Sequence, residues 1–234
     1  MARHSFIQMS KLPNVKGRIS YITSHARQEN LYATYRTADN EFWSNLARES
    51  QQEFKRSGTE GKCIEARELI IALPEVYTQY EPQQVLEDFT DEFRRRYGVE
   101  CVSALHHNKR KTNYHIHLIF AERQLLDKPI EKIATRNMFY DENGKHCRTK
   151  KEILGEDGQI RPGCRILKKG EVYKTKYFKG KREDLKSNKN AHVFKQHYAE
   201  MLDLKVFDRD SYQLAQIKYG KGNPKENEIK EYNA

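Results

Sequence analysis

Four histidines fall within the twelve residues from His106 to His117, two of them in the apolar run "TNYHIHLIFAER" at residues 112–123. Side chains alternate along a strand, so His115 and His117 share one face. The preceding apolar piece, "VECVSALHH", is joined to this run by the polar turn "NKRKTN", the pattern of an antiparallel hairpin. The hairpin brings the end of the first strand beside the second, and three imidazoles from two paired strands form a tripod for one divalent ion. Strand phase counted from Val102 and Ala104 selects His106 as the third ligand; a shorter turn selects His107. Without an ion, the same residues read as satisfied histidines in a wet cleft. Glu68, at the start of the buried run "ELIIALP", is the nearest carboxylate candidate. If its strand joins the same sheet, it either accepts the N–H of a ligand imidazole or takes up a proton during reaction; otherwise it is a strand-start partner of Arg67.

The elements that must hold this hairpin are legible in outline. "HSFIQMS" reads as a first strand, and "RISYITSHARQ" begins a short helix. Residues 39–58 form an amphipathic helix capped by Asp39 and ended by Gly58, with Trp43, Leu46 or Ala47, Ser50 and Phe54 on one side. "IEARELIIALP" is a buried strand stopped by Pro74. A further helix starts near Pro82, turns Val85, Leu86, Phe89, Phe93 and Tyr97 inward, and ends at Gly98. The order β–α–α–β–α–β–β implies an α+β sandwich, an antiparallel sheet with helices on one face and the other face left for a site.

Beyond Arg123 the character changes. The turns "DENG", "GEDG", "RPG" and "KKGE" alternate with short β-prone pieces over residues 138–180. Residues 183–204 return to helix with Ala191, Phe194, Tyr198, Met201 and Leu202 as the apolar stripe, and 209–220 read as one more helix. The division expected is a core over 1–127 and, over 128–234, basic hairpins and C-terminal helices packed on it.

The net charge is +10, yet residues 145–189 hold 15 Lys/Arg against 6 Asp/Glu. Basic residues interleaved with Tyr173, Tyr177 and Phe178 suit nucleic acid, where cations meet phosphates and rings meet bases. Lys168, Lys169, Lys174 and Lys176 are the candidate contacts; Arg123, just past the histidine strand, either contacts phosphate or caps the hairpin. No stretch approaches the roughly 20 apolar residues of a membrane span, and "MARHSFIQMS" lacks the apolar core of a signal peptide, so a cytoplasmic location is expected. The four cysteines form no C-x-x-C pair, so neither a zinc knuckle nor a disulfide framework is encoded.

"ALHHNKRKTNYHIHLIFAER" resembles the histidine motif of HUH endonucleases, and more closely that of the MobA/MobL relaxases of mobile elements from Gram-positive bacteria. "GRISYITSHARQENLYATY" is similar to that family's tyrosine segment, and "EARELIIALP" to the strand before its next helix. The resemblance spans at least residues 1–125. It implies an HUH-like palm and a metal-dependent nickase acting on single-stranded or hairpin DNA at an origin of transfer. It also implies a tyrosine that attacks the scissile phosphate and stays joined to its 5′ side, with accessory relaxosome and coupling proteins as partners. By this match Tyr21 is the nucleophile, with Tyr32 next, and a single nucleophile is expected because no adjacent tyrosine pair occurs there. Mn²⁺ or Mg²⁺ would be the cofactor, with Co²⁺ and Ni²⁺ also compatible.

Three other readings compete. A rolling-circle replication initiator carries the same motif. A non-catalytic nucleic-acid-binding protein would use the basic hairpins alone. Histidine-triad nucleotide hydrolases need a third alternate histidine where this chain has Ile119.

Overall fold

The structure, a computed structural model, describes residues 7–186, 193–194 and 197–198. The chain begins with β1 (Ile7–Leu12), α1 (Val15–Ile22), β2 (Leu31–Arg36), α2 (Asn40–Ser57) and β3 (Ala66–Ala72). A 3-10 turn (Glu75–Gln79), α3 (Pro82–Tyr97), β4 (Cys101–His107) and β5 (Tyr114–Phe120) follow. The strands make one antiparallel sheet in the order β1-β3-β5-β4-β2. β5 lies at its centre and is buried at every position, which is why its sequence is nearly continuous in apolar residues apart from the two histidines.

Alternation divides the sheet between two environments. Leu69, Ile71, Leu105, Ile116, Leu118 and Phe120 face the main core, where α3 supplies Val85, Leu86, Phe89 and Phe93. The opposite alternation carries the histidines. The antiparallel α+β sandwich is as read from the sequence; in addition, α1 packs against β4 and α2 and reaches the histidine-bearing side through Arg18. Both long helices end as expected, with Gly58 and Gly98 in the left-handed region at φ +66° and +60°. Asp39 caps α2 by accepting the Phe42 N–H at 2.8 Å.

β2 has no counterpart in the sequence reading, which assigns residues 31–36 no element of their own. "LYATYR" instead pairs with β4 as an edge strand, Leu31 and Ala33 buried and Tyr32 exposed. Six residues of period-two pattern between two helical segments are easily absorbed into either.

Contacts divide the chain into two units: the first runs to Gln124 and resumes at Gly180, the second is Leu125–Lys179. The sequence reading keeps everything after 127 together. In the structure Lys181 Nζ donates to Glu122 at 2.8 Å and Phe194 and Tyr198 join the main core, so the returning segment belongs with the first unit. Tyr198 stacks on Phe89 at 5.3 Å and donates to the Phe89 carbonyl at 3.1 Å. Ala191, Met201, Leu202 and the helix read over 209–220 lie outside the described residues.

The second unit holds a ribbon of β6 (Leu125–Ile133) with β10 (Val172–Phe178), and a three-stranded sheet of β7 (Met138–Tyr140), β8 (His146–Cys147) and β9 (Arg165–Leu167). A short α4 (Glu183–Lys186) follows in the first unit. Among the described residues no helix is long and apolar enough to cross a membrane.

Truncating Phe194 to alanine empties space among Phe93, Tyr97 and Phe120. The expected loss is about 3–5 kcal/mol, measured as a lower urea midpoint at unchanged slope.

Candidate metal centre and its neighbours

Strand register builds the centre. His106 stands directly opposite His115, and Ala104 opposite His117, so the three imidazoles share one face and a small side chain leaves room beside the third. Ring centroids lie 4.3 Å apart for His106–His115, 4.7 Å for His106–His117 and 5.0 Å for His115–His117. One nitrogen from each falls within 4.8 Å of the others, the one such cluster of His, Cys, Asp or Glu among the described residues. Cys147 and Cys164 are free thiols.

Each ring also has its tautomer fixed. Nδ1 of His106 faces the His107 carbonyl at 3.2 Å, Nδ1 of His115 the Asn113 carbonyl at 3.0 Å, and Nδ1 of His117 the Glu68 carboxylate at 2.7 Å. All three partners are acceptors, so Nδ1 holds the proton and Nε2 offers its lone pair. Nε2 of His106 is buried with no hydrogen-bond partner, an orphan that a bound cation would satisfy. Burial, then repulsion from the neighbouring imidazoles, pushes His106 down to about 3; burial chiefly pushes His115 down to about 4. Both are therefore neutral at pH 7, the form a metal requires. The donor set fits a divalent ion.

Of the two alternatives for the third ligand, His106 shares the face of His115 and His117. His107 pairs with Tyr114 on the opposite alternation and packs against Tyr114 at 4.7 Å.

Glu68 lies on β3, paired with Ile119 of β5 and Ser10 of β1. Besides His117 it accepts Arg18 Nε at 3.0 Å on both oxygens and pairs with Arg18 NH2 at 2.8 Å. Burial pushes its pKa up, but bonds from His117 and Arg18 outweigh that and hold it below the ordinary carboxylate value. It is an ionised acceptor that fixes His117.

Sequence reasoning missed Arg18. Its NH2 also comes within 3.3 Å of His117 Nδ1, and its guanidinium lies 5.2 Å from the ring centre of Tyr21, one turn further along α1. The only signal was an Arg-x-x-Tyr spacing, which places two side chains on one helical face. α1 is itself anchored: Glu65 accepts the Val15 N–H at 2.8 Å, and Asn14 accepts that of Gly17 at 2.9 Å. Tyr21 is exposed. Tyr32 donates to or accepts from His107 Nδ1 at 3.1 Å and meets His107 and Tyr114 edge-on, on the side of the sheet away from the triad.

Arg123 is held within the first unit: its side chain is 3% exposed and pairs with Glu53 at 2.5 Å, and the chain leaving β5 stays buried through this residue. In the second unit Lys168 and Lys169 are exposed at the turn before β10, while Lys174 and Lys176 are half-buried on it.

The MobA/MobL family model matches residues 23–227. The chain belongs to the MobA/MobL family. A solved structure described as the molecular basis of vancomycin resistance transfer in Staphylococcus aureus is similar over 88% of this chain and 96% of its own, at 12% identity and a TM-score of 0.43. No curated protein matches the chain. The match, to a conjugative relaxase family, includes the histidine hairpin, Glu68 and Tyr32, whereas Tyr21 lies two residues before its start.

Glu68→Ala is expected to weaken Mn²⁺ binding about 10–100-fold by freeing His117, whereas His107→Ala should leave it unchanged. Titration calorimetry measures both; a loss confined to His107→Ala would reverse the ligand assignment.

Proposed function

We propose that this MobA/MobL chain is a site- and strand-specific nickase and transesterase, acting in the cytoplasm on single-stranded origin-of-transfer DNA. The observation that carries the reading is the convergence of three imidazole Nε2 atoms beside an arginine on the helix of Tyr21. His106, His115 and His117 would hold the cofactor, Mn²⁺ or Mg²⁺, which supplies positive charge to the scissile phosphate and favours ionisation of the nucleophile.

The remaining steps fall to side chains of this chain. Tyr21 Oη loses its proton and bonds to phosphorus; the bond from phosphorus to the 3′ oxygen breaks, and that oxygen takes up a proton. The product is a 5′-phosphotyrosyl enzyme and a free 3′ hydroxyl. A phenol of ordinary pKa about 10 is a weak nucleophile, and Arg18 sets a cation 5.2 Å from the Tyr21 ring centre, where the attacked phosphate would approach. Glu68, already ionised and shared by His117 and Arg18, holds both in place and is the positioning residue. The ester conserves the phosphodiester's energy, so attack by a 3′ hydroxyl reverses the reaction and closes the strand. Tyr32 is disfavoured because its hydroxyl is engaged by His107 on the other side of the sheet.

With an origin oligonucleotide spanning the nick, wild-type protein is expected to give a denaturant-resistant adduct that EDTA suppresses. Tyr21→Phe should reduce the adduct to background and Tyr32→Phe should keep it; retention by Tyr21→Phe would reject the nucleophile.

Residues 128–179, with Lys168, Lys169, Lys174 and Lys176, we assign to clamping DNA beside the nick, since this stretch carries most of the excess charge. Charge reversal of Lys168, Lys169 and Lys174 to glutamate should weaken binding and lower the salt slope by about 1 for each phosphate no longer neutralised. Unchanged anisotropy titrations across salt would remove the clamp.

A further inference from the structure

The far flank of α1 contains a second feature. A pocket of about 510 Å³ opens between α1 and α2, lined among others by Lys16, Ser20, Ser24, Arg36, Trp43 and Ser44. Its size is that of a small-ligand site. Two cations line it and no carboxylate does. Arg36 donates only to neutral oxygens, Asn40 Oδ1 at 2.6 Å and Thr23 Oγ1 at 3.3 Å. Among the described residues neither Lys16 nor Arg36 is in an ion pair. Their charge is left for something that enters.

Trp43 gives an independent pointer. It is 1% exposed, and its indole Nε1 is buried with no hydrogen-bond partner. Native structures rarely leave a buried N–H unmatched, and an indole nitrogen only donates. The missing partner is therefore an acceptor. Two cations, three serine hydroxyls and an unmatched N–H together describe a receptor for an oxygen-rich anion. The same helix exposes Tyr21 immediately after Ser20, about 100° further round its surface.

We propose that this pocket is a phosphate subsite, holding a backbone phosphate of the DNA strand close to the one attacked by Tyr21. This rests on the reading of the chain as a nickase. It goes beyond that reading by assigning the pocket between α1 and α2 to the substrate strand. A polyanion crossing the exposed side of α1 would meet Tyr21 and Arg18 on one flank and Lys16 and Arg36 on the other. Two anchored phosphates fix the strand's direction over the nucleophile, where one would leave it free to pivot.

Trp43 is the only tryptophan in the chain, so its fluorescence reports on this pocket alone. The full chain, held in EDTA to prevent cleavage, is titrated with a single-stranded oligonucleotide spanning the nick, following Trp43 emission and the anisotropy of a distal dye. Emission should change in parallel with anisotropy. A neutral methylphosphonate at one linkage near the nick should remove the emission change and weaken binding; the same replacement far from the nick should do neither. Lys16→Ala with Arg36→Gln should lower affinity roughly tenfold and flatten the salt slope by about 1 per cation, while Arg36→Lys, which keeps the charge, should recover most of both.

Binding by anisotropy with unaltered Trp43 emission, and equal affinity for the double variant, would overturn the subsite. So would inorganic phosphate changing the emission without being displaced by oligonucleotide, which would make the pocket a free-anion site. Adduct formation by the wild-type chain is read separately with metal restored. Its absence would strike the nickase reading, while its presence beside a silent tryptophan would strike only the subsite.

Discussion

The β4–β5 register is the constraint on which the site depends. With His106 opposite His115 and Ala104 opposite His117, three rings meet on one face. A slip of one residue would send His106 to the opposite face, put His107 in its place against His115, and set the bulkier Leu105 where Ala104 leaves room beside His117. The register is fixed from the other side of the sheet, where Leu105, Ile116, Leu118 and Phe120 are fully buried in the α3 core. Apolar packing on one face thus specifies ligand geometry on the other, and the hairpin turn at Asn108–Asn113 has only to join the strands. Asn108 does so by accepting the Thr112 N–H at 2.8 Å.

The Glu68–His117–Arg18 cluster follows a different logic. A carboxylate 2% exposed is costly to desolvate, and an ion pair seldom repays that in stability. What it provides is orientation: two acceptor oxygens shared by an imidazole N–H and a guanidinium define the angle of His117 and the position of α1 together. Coupling α1 to a strand through a buried carboxylate ties the element carrying the proposed nucleophile to the element carrying the proposed ligands. Hydrophobic contact between Ile19 or Ile22 and the sheet, being non-directional, could not set that relation alone.

How much was legible in the sequence follows from the range of each signal. Alternation revealed the histidine face, since period two is a local property and the triad lies on neighbouring strands. Helix ends at Asp39, Gly58 and Gly98 were legible because capping is also local. Arg18 was not, because its role exists only when α1 is laid over β3, fifty residues away in the chain. The Arg123–Glu53 pair was not legible for the same reason: it joins α2 to the end of β5, seventy residues away in the chain. β2 was hidden by brevity, six residues whose tyrosines fit a helix or a strand equally. The return of the chain at Gly180 depends on Phe194 and Tyr198 finding the α3 face, a long-range fit no local pattern announces.

Charge balance links these parts. The proposed ligands are three imidazoles, none of which brings a negative charge, and the one carboxylate behind them is already matched by Arg18. A divalent ion bound there keeps most of its charge, unlike one held by several carboxylates, and an anionic phosphodiester is the complement such a site attracts. The cations of the chain are placed accordingly: Arg18 at the centre is satisfied by Glu68, Arg123 by Glu53, and Lys181 by Glu122, whereas Lys16 and Arg36 line an open pocket without a carboxylate. Arg18, Arg123 and Lys181 thus have acidic partners within the fold, and under the proposed subsite Lys16 and Arg36 find theirs in a strand of phosphates.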